Sequence, residues 1–124
     1  MTSKRTKQRQ NAKIEAAGEN MRWVERVLEA CLPELRLLTP PVEATRHFGP
    51  FSGEPSDFSV WLIFATRKAH AEAVESDVVD VARRKALTEL RASGYTPEAL
   101  ATFTFFATSR EEIDDAGGDF AFFR

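Results

Sequence analysis

From Ile14 to Cys31 the apolar residues fall at spacings of three and four: Ile14, Ala17, Met21, Val24, Leu28 and Cys31. Those positions share one face of a helix, so the segment predicts an amphipathic helix. Gly18 weakens its first turns. Pro33 marks its end, because proline steers the residue before it away from helical geometry. Pro40 and Pro41 punctuate the chain again, and the weak alternation of 42–48 predicts a first strand at a sheet edge. GPFSGEPSD at 49–57 is loop by composition.

FSVWLIFAT at 58–66 is the strongest strand signal. Phe58, Val60, Leu62 and Phe64 alternate with Trp61, Ile63 and Ala65. Both faces are apolar, so the strand is expected to be central and covered on both sides. Residues 67–93 predict a long helix with a break near Ser76. Val74, Val78, Ala82, Ala86 and Leu90 form a packing ridge at spacing four. Its acids come first and its bases last, which suits the helix dipole. Gly94 fits the stop position, with Tyr95 as the apolar contact after it. Thr96-Pro97-Glu98 predicts one more helical turn. ATFTFFAT at 101–108 alternates, with Phe103 and Phe105 on one side and Phe106 among threonines on the other. Ser109 and Glu112 form a capping box that opens a short helical turn. Gly117-Gly118 end that turn, and DFAFF at 119–123 predicts a last strand.

The element order predicts an α+β two-layer sandwich: a small, largely antiparallel four-stranded sheet with two main helices, in the order α-β-β-α-β-β. A chain of 124 residues suits one domain. Residues 14–124 are read as that domain and residues 1–13, polar and basic, as a disordered arm.

Composition sharpens the picture in three ways. Ten phenylalanines against one tyrosine point to burial, because Phe has no polar group to satisfy. The net charge of −2 conceals an asymmetry: Lys4, Arg5, Lys7, Arg9 and Lys13 lie in the arm, so taking five from the 17 bases leaves 12 against 19 acids, a body of net −7. A wholly nucleic-acid-binding surface would make the body basic as well. The lone Cys31 rules out a disulfide within the chain. No apolar run has the length of a membrane span, and polar residues follow the basic start where a signal peptide needs an apolar stretch. The expected compartment is the cytoplasm, with no membrane partner.

Candidate chemistry is sparse. Cys31 lies in the apolar register of the first helix, near its C-terminus, and reads as a packed thiol rather than a nucleophile. His47 and His70 have no metal-ligand spacing; His70 and Glu72 point apart on a helix. Glu111, Glu112, Asp114 and Asp115 lack the spacing of a calcium loop and read as a capped, solvated turn. Gly117-Gly118 has no phosphate-loop frame. No catalytic residue, metal or cofactor is assigned.

Two features remain. The basic arm, Lys4, Arg5, Lys7, Arg9 and Lys13, is a candidate for binding nucleic acid through its phosphates. The second sheet face, with Trp61, Ile63, Phe106 and Phe123, needs a cover that the first face does not. TFTFFATS lacks the leading base and the glycine of RNA-recognition strands, so a protein cover is favoured over nucleobases. The expected function is therefore a small non-enzymatic interaction module that self-associates, or binds a partner protein, through an apolar sheet face. The alternatives are a nucleic-acid-associated protein using the arm, and an enzyme whose cleft joins His47 or His70 to a carboxylate.

Overall fold

The computed structural model describes residues 4–49 and 57–123, with side chains from residue 18 onward. Residues 50–56 of the loop expected over 49–57 and the charged groups of the arm lie outside the described residues. The order is α1 (Lys4–Leu35), β1 (Ala44–Phe48), β2 (Ser59–Phe64), α2 (Arg67–Glu75), α3 (Val78–Ala92), α4 (Pro97–Leu100), β3 (Thr104–Ser109), α5 (Arg110–Asp115) and α6 (Asp119–Phe122). The fold is α+β, with six helices and a three-stranded mixed sheet among the described residues.

Helix α1 buries Val24, Leu28, Cys31 and Leu35, the face that the three-four spacing marks out. Its backbone begins at Lys4, so residues 4–13 run into it as helix. Pro33 sits inside α1, two residues before its end. The ring removes one intrahelical hydrogen bond, and the helix closes within the next turn.

The long helix expected over 67–93 is two helices. Ser76 and Asp77 separate them, and the Ser76 hydroxyl accepts a hydrogen bond from the Val78 amide at 3.3 Å. The break turns α2 relative to the ridge. Ala73 faces inward in place of Val74, which is exposed, while Val78, Ala82, Ala86 and Leu90 are buried as the spacing predicts. Tyr95 N–H reaches back to the Leu90 carbonyl at 3.1 Å, and Gly94 takes a φ of 118° that the turn requires and that an L side chain rarely adopts.

Helices α1 and α3 lie antiparallel across one sheet face. Val24 and Leu28 pack with Ala86, Leu90, Phe58 and Val60. Cys31 and Leu35 pack with Val78, Ala82, Leu62 and Phe64. The small Ala82 and Ala86 leave room for the neighbouring helix. Trp23 Nε1 donates to Ser93 Oγ at 3.0 Å near one end of the pair, and Lys85 approaches Glu34 at 3.8 Å near the other. Each fully buried Phe or Leu contributes roughly 1.5–3 kcal/mol, so this face supplies most of the apolar driving force.

The sheet departs from expectation in two ways. It has three strands, in the order β1-β2-β3, and it is mixed: β1 and β2 are antiparallel, whereas β2 and β3 are parallel. Period-two alternation is the same in both kinds of pairing. The direction of β3 is set by α2, α3 and α4, which carry the chain back across the sheet. The missing strand is 119–123. It forms the single turn α6, because Gly117 and Gly118, with φ of 104° and 100°, reverse the chain before it can extend. Helices α4 and α5 form as the Thr96-Pro97 and Ser109-Glu112 signals predict, with Thr96 and Ser109 each accepting a capping hydrogen bond.

One buried group is unsatisfied. The Tyr95 hydroxyl has no hydrogen-bond partner among the described residues, although the residue is only 4% exposed. Its ring packs on Trp23 at 4.6 Å and Phe103 at 5.6 Å, and burial pushes the phenol up to about 12. An unsatisfied buried hydroxyl costs about 1–3 kcal/mol. Tyr95→Phe is therefore expected to stabilise the protein by about 1 kcal/mol. Urea unfolding checks this, and a clear loss of stability would show that the hydroxyl is bonded.

Candidate functional site

The face of the sheet away from α1 and α3 is built from three strand rows. Arg46, Trp61 and Phe106 stand side by side across β1, β2 and β3; Phe48, Ser59 and Thr104 form the row on one side, and Ala44, Ile63 and Thr108 the row on the other. Trp61 stacks on Phe106 at 4.8 Å with an interplanar angle of 23°. Ile63 is fully buried, Trp61 is half-buried and Phe106 is 40% exposed.

The cover over Trp61 comes from α6 and the residue after it. Phe122 and Phe123 meet the Trp61 ring edge-on at 5.5 Å and 5.4 Å, and Phe123 also packs on Phe48 at 5.2 Å. The helical turn decides which aromatics face the sheet. In an extended strand, 119, 121 and 123 would share a side. In a turn of helix, 119, 122 and 123 share a side and 120 points away. Phe120 is accordingly 88% exposed, the most exposed large apolar side chain among the described residues. Asp119 lies between two bases: Arg46 of β1 pairs with one carboxylate oxygen, and Arg110 Nη1 of α5 donates to the other at 3.1 Å. Phe48, Asp119, Phe120 and Phe123 line a hollow of about 410 Å3.

Of the four residues expected on this face, Trp61, Phe106 and Phe123 come together and Ile63 lies beneath the accessible surface. Sequence reasoning missed Phe48, Arg46, Asp119, Phe120 and Phe122. The signal for the last three was present: a period of three to four in DFAFF behind a double glycine, which reads equally as alternation when the segment is so short.

The histidine sites resolve differently. His70 Nδ1 donates to Glu112 Oε2 at 2.9 Å. The same oxygen accepts from Ser109 Oγ at 2.9 Å and Thr108 Oγ1 at 3.1 Å. Burial raises the Glu112 carboxyl, but the hydrogen bonds from Ser109, His70 and Thr108 and the attraction of His70 together outweigh it and hold the group below its ordinary value. The capping box takes a variant form, in which Ser109 Oγ accepts from the Glu112 amide at 3.1 Å and donates to its carboxylate. Next to it, the Arg67 amide donates to Glu111 Oε1 at 3.0 Å, and the Arg67 guanidinium pairs with Asp115. Three of the four acids, Glu111, Glu112 and Asp115, therefore brace α5 against the start of α2. A Ser-His nucleophile would need the hydroxyl to donate to the imidazole; here Ser109 is buried and donates to the carboxylate instead.

His47 Nε2 donates to the Met21 carbonyl at 3.1 Å and so ties β1 to α1. Burial lowers its pKa, offset only in part by that hydrogen bond and by Glu25. The Cys31 thiol is 2% exposed; burial raises its pKa, with Glu89 and Glu34 adding to the effect against Lys85. Among the described residues no group of three or more His, Cys, Asp or Glu is placed to hold a metal ion. No helix in that span is long and apolar enough to cross a membrane. The arm bases Lys4, Arg5, Lys7, Arg9 and Lys13 have side chains outside the described residues.

These shifts fix a pH dependence. His47 binds its proton less readily folded than unfolded, so acidification below its ordinary 6.5 favours the unfolded chain until the folded protein is protonated too. Glu112 holds its charge better folded than unfolded, so its contribution is present above 4.5 and disappears as pH falls through the lower folded value. Stability is expected to fall in two stages on acidification. His47→Gln flattens the upper stage and Glu112→Gln the lower, as measured by urea midpoints across a pH series.

No protein-family model, curated protein or solved structure matches this chain.

Proposed function

We propose that the protein is a self-associating interaction module whose contact surface is the aromatic patch on the second sheet face, and that the occupant of that patch is a second copy of this chain. The observation that carries the reading is the juxtaposition of knob and hollow. Phe120 projects into solvent at 88% exposure beside a hollow of about 410 Å3 that is lined by Phe48, Phe120, Phe123 and Asp119. A patch with both features is complementary to itself about a two-fold axis: each Phe120 enters the hollow of the other copy. Phe106 extends the apolar surface, and Arg46, Arg110 and Asp119 supply both signs of charge beside it. Aromatic anchors in a hollow beside polar groups are the arrangement that concentrates binding energy at protein contacts.

Phe120 makes little use of its own chain, so replacing it leaves the fold intact. Phe120→Ser is expected to weaken self-association by about tenfold or more, a loss of about 1.4 kcal/mol or more. Sedimentation velocity over the micromolar range measures it. A parent protein that stays strictly monomeric, or a Phe120→Ser variant that associates as well as the parent, overturns the reading.

A further inference from the structure

The cover over Trp61 is thin. Helix α6 is four residues long and has no buried residue. Two consecutive glycines in the left-handed φ region precede it; a Cβ placed on Gly118 would meet nothing within 4 Å, whereas one on Gly117 would lie 3.3 Å from the Ala121 Cβ. The Gly117 and Gly118 amides donate to the Asp114 and Ile113 carbonyls at 3.0 Å and 2.9 Å, and beyond them the segment is held by the Asp119 pairs to Arg46 and Arg110 and by the ring contacts of Phe122 and Phe123. Half of the Arg46 side chain and a third of the Asp119 and Arg110 side chains are exposed. Ion pairs that exposed are weak and are screened by salt. Beneath the segment lies a ready aromatic surface, the Trp61-Phe106 stack with Arg46 beside it.

We infer that residues 117–123 form a strap, hinged at Gly117-Gly118 and clamped at Asp119, whose closure regulates the aromatic face. Closed, the strap covers Trp61 and presents Phe120 outward. Open, it uncovers Trp61 and removes three of the four residues that line the hollow. The regulatory meaning rests on the self-association reading, but the opening itself does not, and it can be measured in a monomer. The clamp joins three elements, β1 through Arg46, α5 through Arg110 and α6 through Asp119, so salt or loss of the carboxylate acts on all three at once.

The test is hydroxyl-radical footprinting with mass spectrometry on the full chain carrying Phe120→Ser, which removes the proposed knob and leaves both tryptophans in place. Asp119→Ala on that background is expected to raise the oxidation rate of Trp61 about threefold or more, the scale of losing two exposed ion pairs. Trp23, on the opposite side of the sheet, serves as the internal reference and stays unchanged. High salt is expected to raise the Trp61 rate when Asp119 is present and to have little effect once it is gone. Asp119→Asn, which keeps the shape without the charge, follows Asp119→Ala. Equal Trp61 rates with and without Asp119 at low salt overturn the strap. Faster oxidation of Trp61 and Trp23 together also overturns it, since that marks general loosening. A strap that opens in a chain that never self-associates leaves this inference standing and removes the functional reading. Self-association without any opening does the reverse.

Discussion

Strand β2 is the element on which the rest depends. Among the described residues it is the only strand with a neighbour on each edge, and it is apolar on both faces. One set of its side chains anchors α1 and α3; the other set presents Trp61 and Ile63 to the opposite side. A strand of that kind cannot be left half-covered in water, because each exposed ring forgoes roughly 1.5–3 kcal/mol of burial. The two long helices satisfy one side completely. The other side is satisfied unevenly: Ile63 fully, Trp61 by a single turn of helix at the end of the chain, Phe106 in part. The two faces differ accordingly: one has a thick, interlocked cover and the other a thin one.

Polar groups reinforce that division. His47, Trp23 and the Glu112 cluster make internal ties between elements, each with defined partners. They connect β1 to α1, α1 to the end of α3, and α2 to α5. The Asp119 clamp differs in what it holds: a four-residue helix that stands over the Trp61 ring. The internal ties join elements of the scaffold, while in the proposed strap the clamp sets how much of the aromatic surface is available.

Much of the scaffold was legible in the sequence, and the reason is periodicity over length. The face Val24, Leu28, Cys31 has enough turns to declare itself, as does the ridge from Val78 to Leu90. The central position of β2 follows from its two apolar faces. Capping at Ser109 and Thr96 and the stop at Gly94 were readable because each needs a particular residue type at a particular offset. Strand direction was not legible, since alternation carries no information about whether a neighbour runs parallel. Five residues of DFAFF are too few to separate a period of two from one of 3.6. That ambiguity hid Phe120 and Phe122, and with them the shape of the aromatic face. The His70–Glu112 pair was out of reach for another reason: it joins residues far apart in the chain across a parallel crossover.

Cys31 has a use that follows from its position. It is the only thiol in the chain, and it lies 2% exposed where α1 and α3 press together over the sheet. A thiol reagent reaches it only when those helices part, and the rate at which it reacts is a clock for that separation, with no label introduced. For the same reason the folded protein behaves towards such reagents as if it had no cysteine, so a single cysteine placed on the aromatic side becomes the one site that reacts. The packing that removes Cys31 from chemistry leaves the chain ready for site-specific labelling of its opposite face.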